Sequence, residues 1–140
     1  MKASLKPGLA STTRYEVDDT RVISFMGQEL GTYGTPFMLR DIERTCRTLA
    51  VDHLDEGEDS VGAHVTLDHL GPTLKGMWVE VSAKLVDVDG RRLTFEATVR
   101  DAIQEVGKAR HVRFVVDKAR QKERLAAKAA KLAALGAAQA

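Results

Sequence analysis

The chain has a single cysteine, Cys46, which excludes an internal disulfide and any cysteine-rich zinc site. It has almost no net charge, formally +1, so no global basic field marks a nucleic-acid binder. No apolar run approaches the ~20 residues of a membrane helix. Met1–Ser11 carries lysines but no apolar h-region, and no secretory signal is expected. The Walker loop, the G-x-G-x-x-G turn and the G-x-S-x-G elbow are all missing. His53, His64, His69 and His111 share no metal-ligand spacing, so no metal site is predicted. What remains is a chain of 140 residues, 44% hydrophobic and 29% charged, long enough for one domain with one good core. A soluble cytoplasmic protein is the expectation.

The charge is unevenly placed. Of the 21 Lys/Arg and 20 Asp/Glu, Asp117–Ala140 holds six and two, so the tail is basic and the body slightly acidic. Residues 125–140 contain nine alanines, which favours helix strongly, yet only Leu125, Leu132 and Leu135 give that helix an apolar edge. The reading is a domain over 1–117 followed by a basic, alanine-rich helix over 118–140 that packs weakly.

Gly34-Thr35-Pro36 opens a helix: threonine is a good N-cap and proline suits the first helical position. The helix is predicted over Pro36–His53. At 100° per residue Leu39, Ile42, Cys46, Leu49, Ala50 and His53 share one arc, while Arg40, Asp41, Arg44, Arg47 and Thr48 fall off it. The acidic run Asp55–Ser60 reads as the loop that ends it. The period then changes to two, with Ala63, Val65, Leu67 and His69 on one face of a strand. Met77–Val88 and Arg92–Arg100 read as a hairpin around Asp89-Gly90. Glu105–Asp117 is the last strand, with Val112, Phe114 and Val116 on its apolar face. Ser11–Val17 is a plausible first strand. One helix cannot cover both faces of five strands, so the simplest α+β solution is a curved antiparallel sheet wrapped around the helix.

Two residues break the apolar pattern. Glu43 lies between Leu39 and Cys46 on the helix arc, where a carboxylate must be paired, hydrogen-bonded or raised in pKa. It is either a structural ion pair or a catalytic or water-positioning group. His69 ends the strand on the face that meets the helix, next to the Leu70-Gly71-Pro72 break where a pocket can open. It is either a satisfied core histidine or a base. Thr35 is explained completely as a cap, yet a threonine hydroxyl beside a base is also a nucleophile, and a helix N-terminus suits a developing oxyanion. Cys46 reads as an apolar filler. His111 and Arg113 alternate together on the last strand, opposite Phe114, and either meet an anionic ligand or are solvated.

The run Gly34-Thr-Pro-Phe-Met38, Glu43 and Cys46, Gly62 and His69, Asp89-Gly-Arg-Arg-Leu93 and His111-Val-Arg113 together resemble the fluoroacetyl-CoA thioesterase family of hot-dog-fold acyl-CoA thioesterases, over residues 12–116. The resemblance implies a catalytic set of Thr35, Glu43 and His69, with Gly62 lining the acyl pocket and Arg113 near the catalytic histidine. Fluoroacetate-specific members carry a lid of phenylalanines before the helix. Here Met26 and Glu29 stand in those places, so modest discrimination of fluoroacetyl-CoA is expected. The implied activity is hydrolysis of a short-chain acyl-CoA with no cofactor, no metal, no nucleic acid and no membrane. The alternative from another class is a catalytically silent acyl-CoA or small-ligand binding module on the same fold. A homodimer is expected from geometry: Thr35 and Glu43 are eight residues apart, ~12 Å of rise and about 80° of rotation, too far for both to act at one centre within one helix. A second chain, or substrate and water, must span the gap.

Overall fold

The computed structural model describes residues 1–27 and 30–136, so Glu29 lies outside the described residues. In chain order the elements are β1 (Ala10–Glu16), β2 (Val22–Ile23), β3 (Thr32–Tyr33), α1 (Thr35–Val51), β4 (Glu58–His69), β5 (Trp78–Asp89), β6 (Arg92–Arg100), β7 (Glu105–Asp117) and α2 (Lys118–Ala134). Five strands form one antiparallel sheet in the order β1-β5-β6-β7-β4. The sheet curls over α1, and Met38, Ile42, Cys46, Leu49 and Ala50 pack against Val79, Val81, Leu85, Leu93, Phe95 and Val99. This is the α+β wrap that the change of period predicts. The short pair β2–β3, which the periodicity does not show, is an addition.

Local chemistry explains most boundaries. Asp89 opposes Arg92, and Gly90 at φ 59° is the first residue of the two-residue turn, as in a type II′ hairpin. The helix ends at Val51, two residues before the predicted end, with Asp52 as its C-cap. The acidic run is not all loop: β4 begins at Glu58, because its acids have partners. Asp55 and Glu58 take the N-terminal ammonium, and Asp59 takes Arg47 at 2.6 Å. β4 is the sheet edge beside β7, paired from Glu58↔Asp117 to His69↔Gly107, with a bulge between Gly62 and His64. Bulges bend an edge strand and re-aim its side chains.

Three expectations are overturned. First, Phe114 is 41% exposed, while Gly107, Ala109, His111, Arg113 and Val115 face inward. Met38 Sδ would stand 2.6 Å from a Cβ on Gly107, so the helix settles on this glycine rather than on Phe114. Second, Asp41 falls off the apolar arc but is fully buried, because Arg21 and Tyr33 cover that side of the helix and bond its carboxylate. Third, Thr35 is not the cap. Gly34 is, with no side-chain cap bond. A Cβ there would press on the Phe37 ring at 2.8 Å and on Ile23 at 3.0 Å, so any larger residue must push those side chains aside.

α2 continues directly from β7. Asp117 caps it, accepting from the Arg120 N–H at 3.1 Å, and none of its residues is buried. No helix among the described residues is long and apolar enough to cross a membrane.

Candidate active site

The sheet and helix place the five predicted residues in two clusters. The first joins the start of α1 to the end of β4. Thr35 Oγ1 lies 2.7 Å from His69 Nδ1. Released from capping, the hydroxyl is free to donate to the imidazole. His69 Nε2 is buried without a hydrogen-bond partner among the described residues. Burial pulls the His69 pKa below its ordinary 6.5, against a smaller opposing effect of the Gly71 backbone. The ring is therefore neutral at physiological pH, the form a general base needs. Edge-on to it lies the ring of Tyr33, 6.4 Å away between centroids at 70°.

The expectation about the helix N-terminus needs narrowing. Pro36 has no N–H, and the N–H groups of Phe37 and Met38 both bond the Gly34 carbonyl, each at 3.0 Å. The first turn offers its dipole more than a row of free donors.

The second cluster lies just over two turns further along α1, under the β4 bulge. The Glu43 side chain is 45% exposed rather than buried in the arc. The opening above it is Gly62: a Cβ there would sit 2.6 Å from Glu43 Oε1. The close approach, not a special backbone angle, is what glycine serves here, since any side chain would push the Glu43 carboxylate aside. Beneath lie His111 and Arg113, which are buried, neither solvated nor open to a ligand in a single chain. Arg113 donates from Nε to Ser60 Oγ at 2.7 Å and from Nη2 to the Ser60 carbonyl at 2.9 Å.

Hydrogen-bond logic fixes the His111 tautomer. Its Nδ1 is 2.9 Å from the His64 carbonyl, which can only accept, so Nδ1 carries the proton. Nε2 then accepts from Arg113 Nη1 at 3.1 Å. Burial first, and Arg113 among lesser causes, hold the His111 pKa below the ordinary 6.5. The 3.9 Å approach of His111 Nε2 to Glu43 is accordingly no ion pair, because the ring is neutral. Burial likewise lowers the Arg113 pKa, with the Glu43 charge opposing it. No carboxylate lies within ion-pair distance of that guanidinium among the described residues, so its positive charge is balanced chiefly from Glu43 at longer range.

Cys46 is a filler: burial pushes its thiol up to about 12, so it carries no thiolate chemistry. Among the described residues no group of three or more His, Cys, Asp or Glu could hold a metal ion. A groove of about 430 Å³ on the outer sheet face, bordered by Thr12, Ser82, Thr98 and Arg110, includes none of the five site residues. The sequence reading missed Arg21, Tyr33, Asp41 and Ser60. Each is polar, and nothing in its spacing marks it as buried.

A family model described as fluoroacetyl-CoA-specific thioesterase matches residues 17–119. The fluoroacetyl-CoA thioesterase of Streptantibioticus cattleyicolor is 33% identical over 84 residues, 60% of this chain and 60% of that protein. The match thus spans less than two thirds of that relative's length. The solved structure of the fluoroacetyl-CoA thioesterase FlK superposes with a TM-score of 0.81 at 26% identity, over 89% of this chain and 98% of that one. Two further structures share the fold alone. A thioesterase superfamily member of Thermus thermophilus has a TM-score of 0.86 at 22% identity, over 94% of this chain and 98% of that one. A hot-dog-like protein of Thermanaerovibrio acidaminovorans has 0.80 at 20%, over 87% and 91%. The fold is the hot-dog fold of the thioesterases.

Proposed function

The chain belongs to the fluoroacetyl-CoA-specific thioesterase family, and from that premise we propose that it hydrolyses a short-chain acyl-CoA to the free acid and CoA. The observation that carries the reading is the 2.7 Å contact of Thr35 Oγ1 with a neutral, desolvated His69. His69 Nδ1 takes the proton of the Thr35 hydroxyl or of a water held by it. The oxygen so activated attacks the thioester carbonyl carbon, and the tetrahedral intermediate expels CoA as thiolate, which takes up the proton from the imidazolium. Attack by water gives the free acid directly; attack by Thr35 leaves an acyl-threonine ester, which a water positioned by Glu43 and deprotonated by His69 then hydrolyses, releasing the acid and returning the proton to the Thr35 oxygen. The α1 dipole favours the oxyanion. Glu43 activates or positions water, and the charge of Arg113 below it holds the carboxylate in place. Gly62 leaves room for the acyl group over Glu43.

The active unit in this reading is a homodimer. Along β4, Gly62 and His69 are seven residues apart, ~23 Å of strand. One reacting carbon cannot touch both clusters of one chain. β4 is also an edge, with Val61–His64 exposed. Antiparallel pairing of two β4 edges about an axis between Val65 and Thr66 sets each His69 opposite Gly62 of the partner subunit. That brings Glu43 of the partner subunit to the Thr35–His69 pair and completes two equivalent sites. The reduced, buried Cys46 suits a cytoplasmic protein. The division into a thioesterase domain over 1–117 and a basic tail over 118–140 is part of the same proposal.

The test is a panel of acyl-CoA thioesters read by released thiol, with His69→Ala expected to lower kcat/KM by about 10²-fold or more. Mixing Thr35→Ala and Glu43→Ala subunits under exchange should restore activity, because some heterodimer sites regain both residues. Tight acyl-CoA binding with no turnover across the panel refutes the enzyme reading. A fully active monomer in sedimentation refutes the shared site.

A further inference from the structure

We infer that Tyr33, locked by the buried Arg21–Asp41 ion pair, is a positioning residue that holds the His69 imidazole against Thr35. The inference rests on the catalytic reading of that pair.

Asp41 is fully buried, although its place on α1 is otherwise polar. Both its oxygens are occupied: Oδ2 accepts from the Tyr33 hydroxyl at 2.6 Å and from Arg21 Nε at 2.9 Å, and Oδ1 accepts from Arg21 Nη2 at 3.2 Å. A buried ion pair is weak evidence of stability, because desolvation consumes most of its attraction. Its value lies in the geometry it specifies.

Every bond in this cluster leads to the first turn of α1. The Arg21 carbonyl accepts the Gly34 N–H at 2.9 Å, so one residue grips the cap by its backbone and the helix by its side chain. Tyr33 stands two residues before Thr35. Its backbone N–H donates to the Thr73 carbonyl at 2.8 Å, and Thr73 is itself buried and bonded to Asp101 Oδ2 at 2.9 Å. Backbone and hydroxyl thus fix both ends of the tyrosine. Its ring has one orientation, edge-on to His69. A second layer braces Arg21, whose guanidinium lies 5.0 Å over the Tyr15 ring, while the Tyr15 hydroxyl meets Thr45 Oγ1 at 3.0 Å.

The imidazole needs such a wall. Facing it are the Thr35 hydroxyl from α1, the Tyr33 ring from β3 and the Gly71 backbone beyond β4, with no charged group among the causes of its altered proton affinity. Apart from the Thr35 hydroxyl at Nδ1 and the Gly71 backbone, the ring plane is held by packing, and its buried Nε2 has no hydrogen-bond partner among the described residues. A misplacement of about 1 Å between base and hydroxyl is enough to lower turnover by about 10²-fold.

The experiment compares Tyr33→Phe, Tyr33→Leu and Asp41→Asn with the wild type and with His69→Ala and Thr35→Ala, as full-length proteins on the best thioester of the panel. Tyr33→Phe removes only the hydroxyl and should lower kcat about 10-fold with KM within about twofold. Tyr33→Leu removes the wall and should lower kcat by about 10²-fold. It should also move the His69 titration, followed by NMR of the imidazole, upward toward the ordinary value as water reaches the ring. Asp41→Asn should repeat the Tyr33→Phe effect and add nothing to it in the double variant. If Asp41→Asn does not fold, the two tyrosine variants decide alone. A folded Tyr33→Leu with wild-type kcat and an unmoved His69 titration overturns the inference. Wild-type turnover in His69→Ala and Thr35→Ala would instead overturn the catalytic reading, whatever the tyrosine variants do.

Discussion

Gly62→Ala separates positioning from stability in this site. The added Cβ would lie 2.6 Å from Glu43 Oε1, 3.4 Å from His111 Cε1 and 3.6 Å from Arg113 Nη1. The last two are tolerable contacts. The first is a clash, and reaching ordinary contact distance requires the carboxylate to withdraw by about 0.8 Å. Gly62 has no positive φ, so alanine brings no backbone strain. Glu43 is half exposed and flexible, so it can swing away. Stability should therefore fall by less than about 1 kcal/mol, or about 4 °C in Tm. In the proposed role of Glu43 activity should fall far more, because a carboxylate that positions water and is displaced by nearly an ångström loses about 10²-fold, equivalent to ~2.7 kcal/mol of transition-state stabilisation. The assay is kcat/KM by thiol release together with thermal unfolding. The decisive step is a cycle with Glu43→Ala, in whose background the alanine has nothing to push and should add little. Wild-type turnover in Gly62→Ala, or an equal loss in both backgrounds, refutes the claim that Gly62 acts through Glu43.

Three further outcomes are expected. His111 is buried and neutral with a depressed pKa, so the unfolded chain binds its proton first as pH falls; stability is full above about 6.5 and is lost as pH falls through the lower folded value. Thermal unfolding against pH should show that slope in the wild type and a shallower one in His111→Gln. Deletion after Lys118 should leave the fold intact, with Tm within about 4 °C of the full chain, because α2 buries no side chain; a collapsed Tm would make α2 part of the core. Acetyl- and fluoroacetyl-CoA should differ by ~1–3 kcal/mol in kcat/KM, the reach of an apolar pocket reading one small substituent, with Met26 exposed in the segment before α1; a ratio above about 10⁴ would refute that reading.

The wrap of sheet around helix was legible in the sequence because it depends on local periodicity. The apolar arc of α1, the alternation of β4 and the Asp89-Gly90 turn each act over a few residues; the structure keeps the turn, the arc from Ile42 to Ala50 and the alternation from Val65 to His69, while the bulge at Gly62–His64 leaves Ala63 exposed. Thr35, Glu43 and His69 could be singled out for a similar reason: each is a polar residue at a position the pattern reserves for apolar ones or for a cap. Tertiary structure decided what those residues meet. Whether Thr35 caps the helix or faces a base turns on Gly34 filling the cap and on β4 ending beside it. Which face of β7 is inward turned on Gly107, whose missing side chain lets Met38 approach, and on Ser60 and the His64 carbonyl, which satisfy Arg113 and His111 once buried. Asp41 shows the limit most plainly. A carboxylate off the apolar arc reads as solvated, and only a segment twenty residues upstream, folding back with Arg21, makes its burial possible. Periodicity carries the direction in which a side chain points; the desolvation and pairing that set its chemistry come from partners remote in sequence.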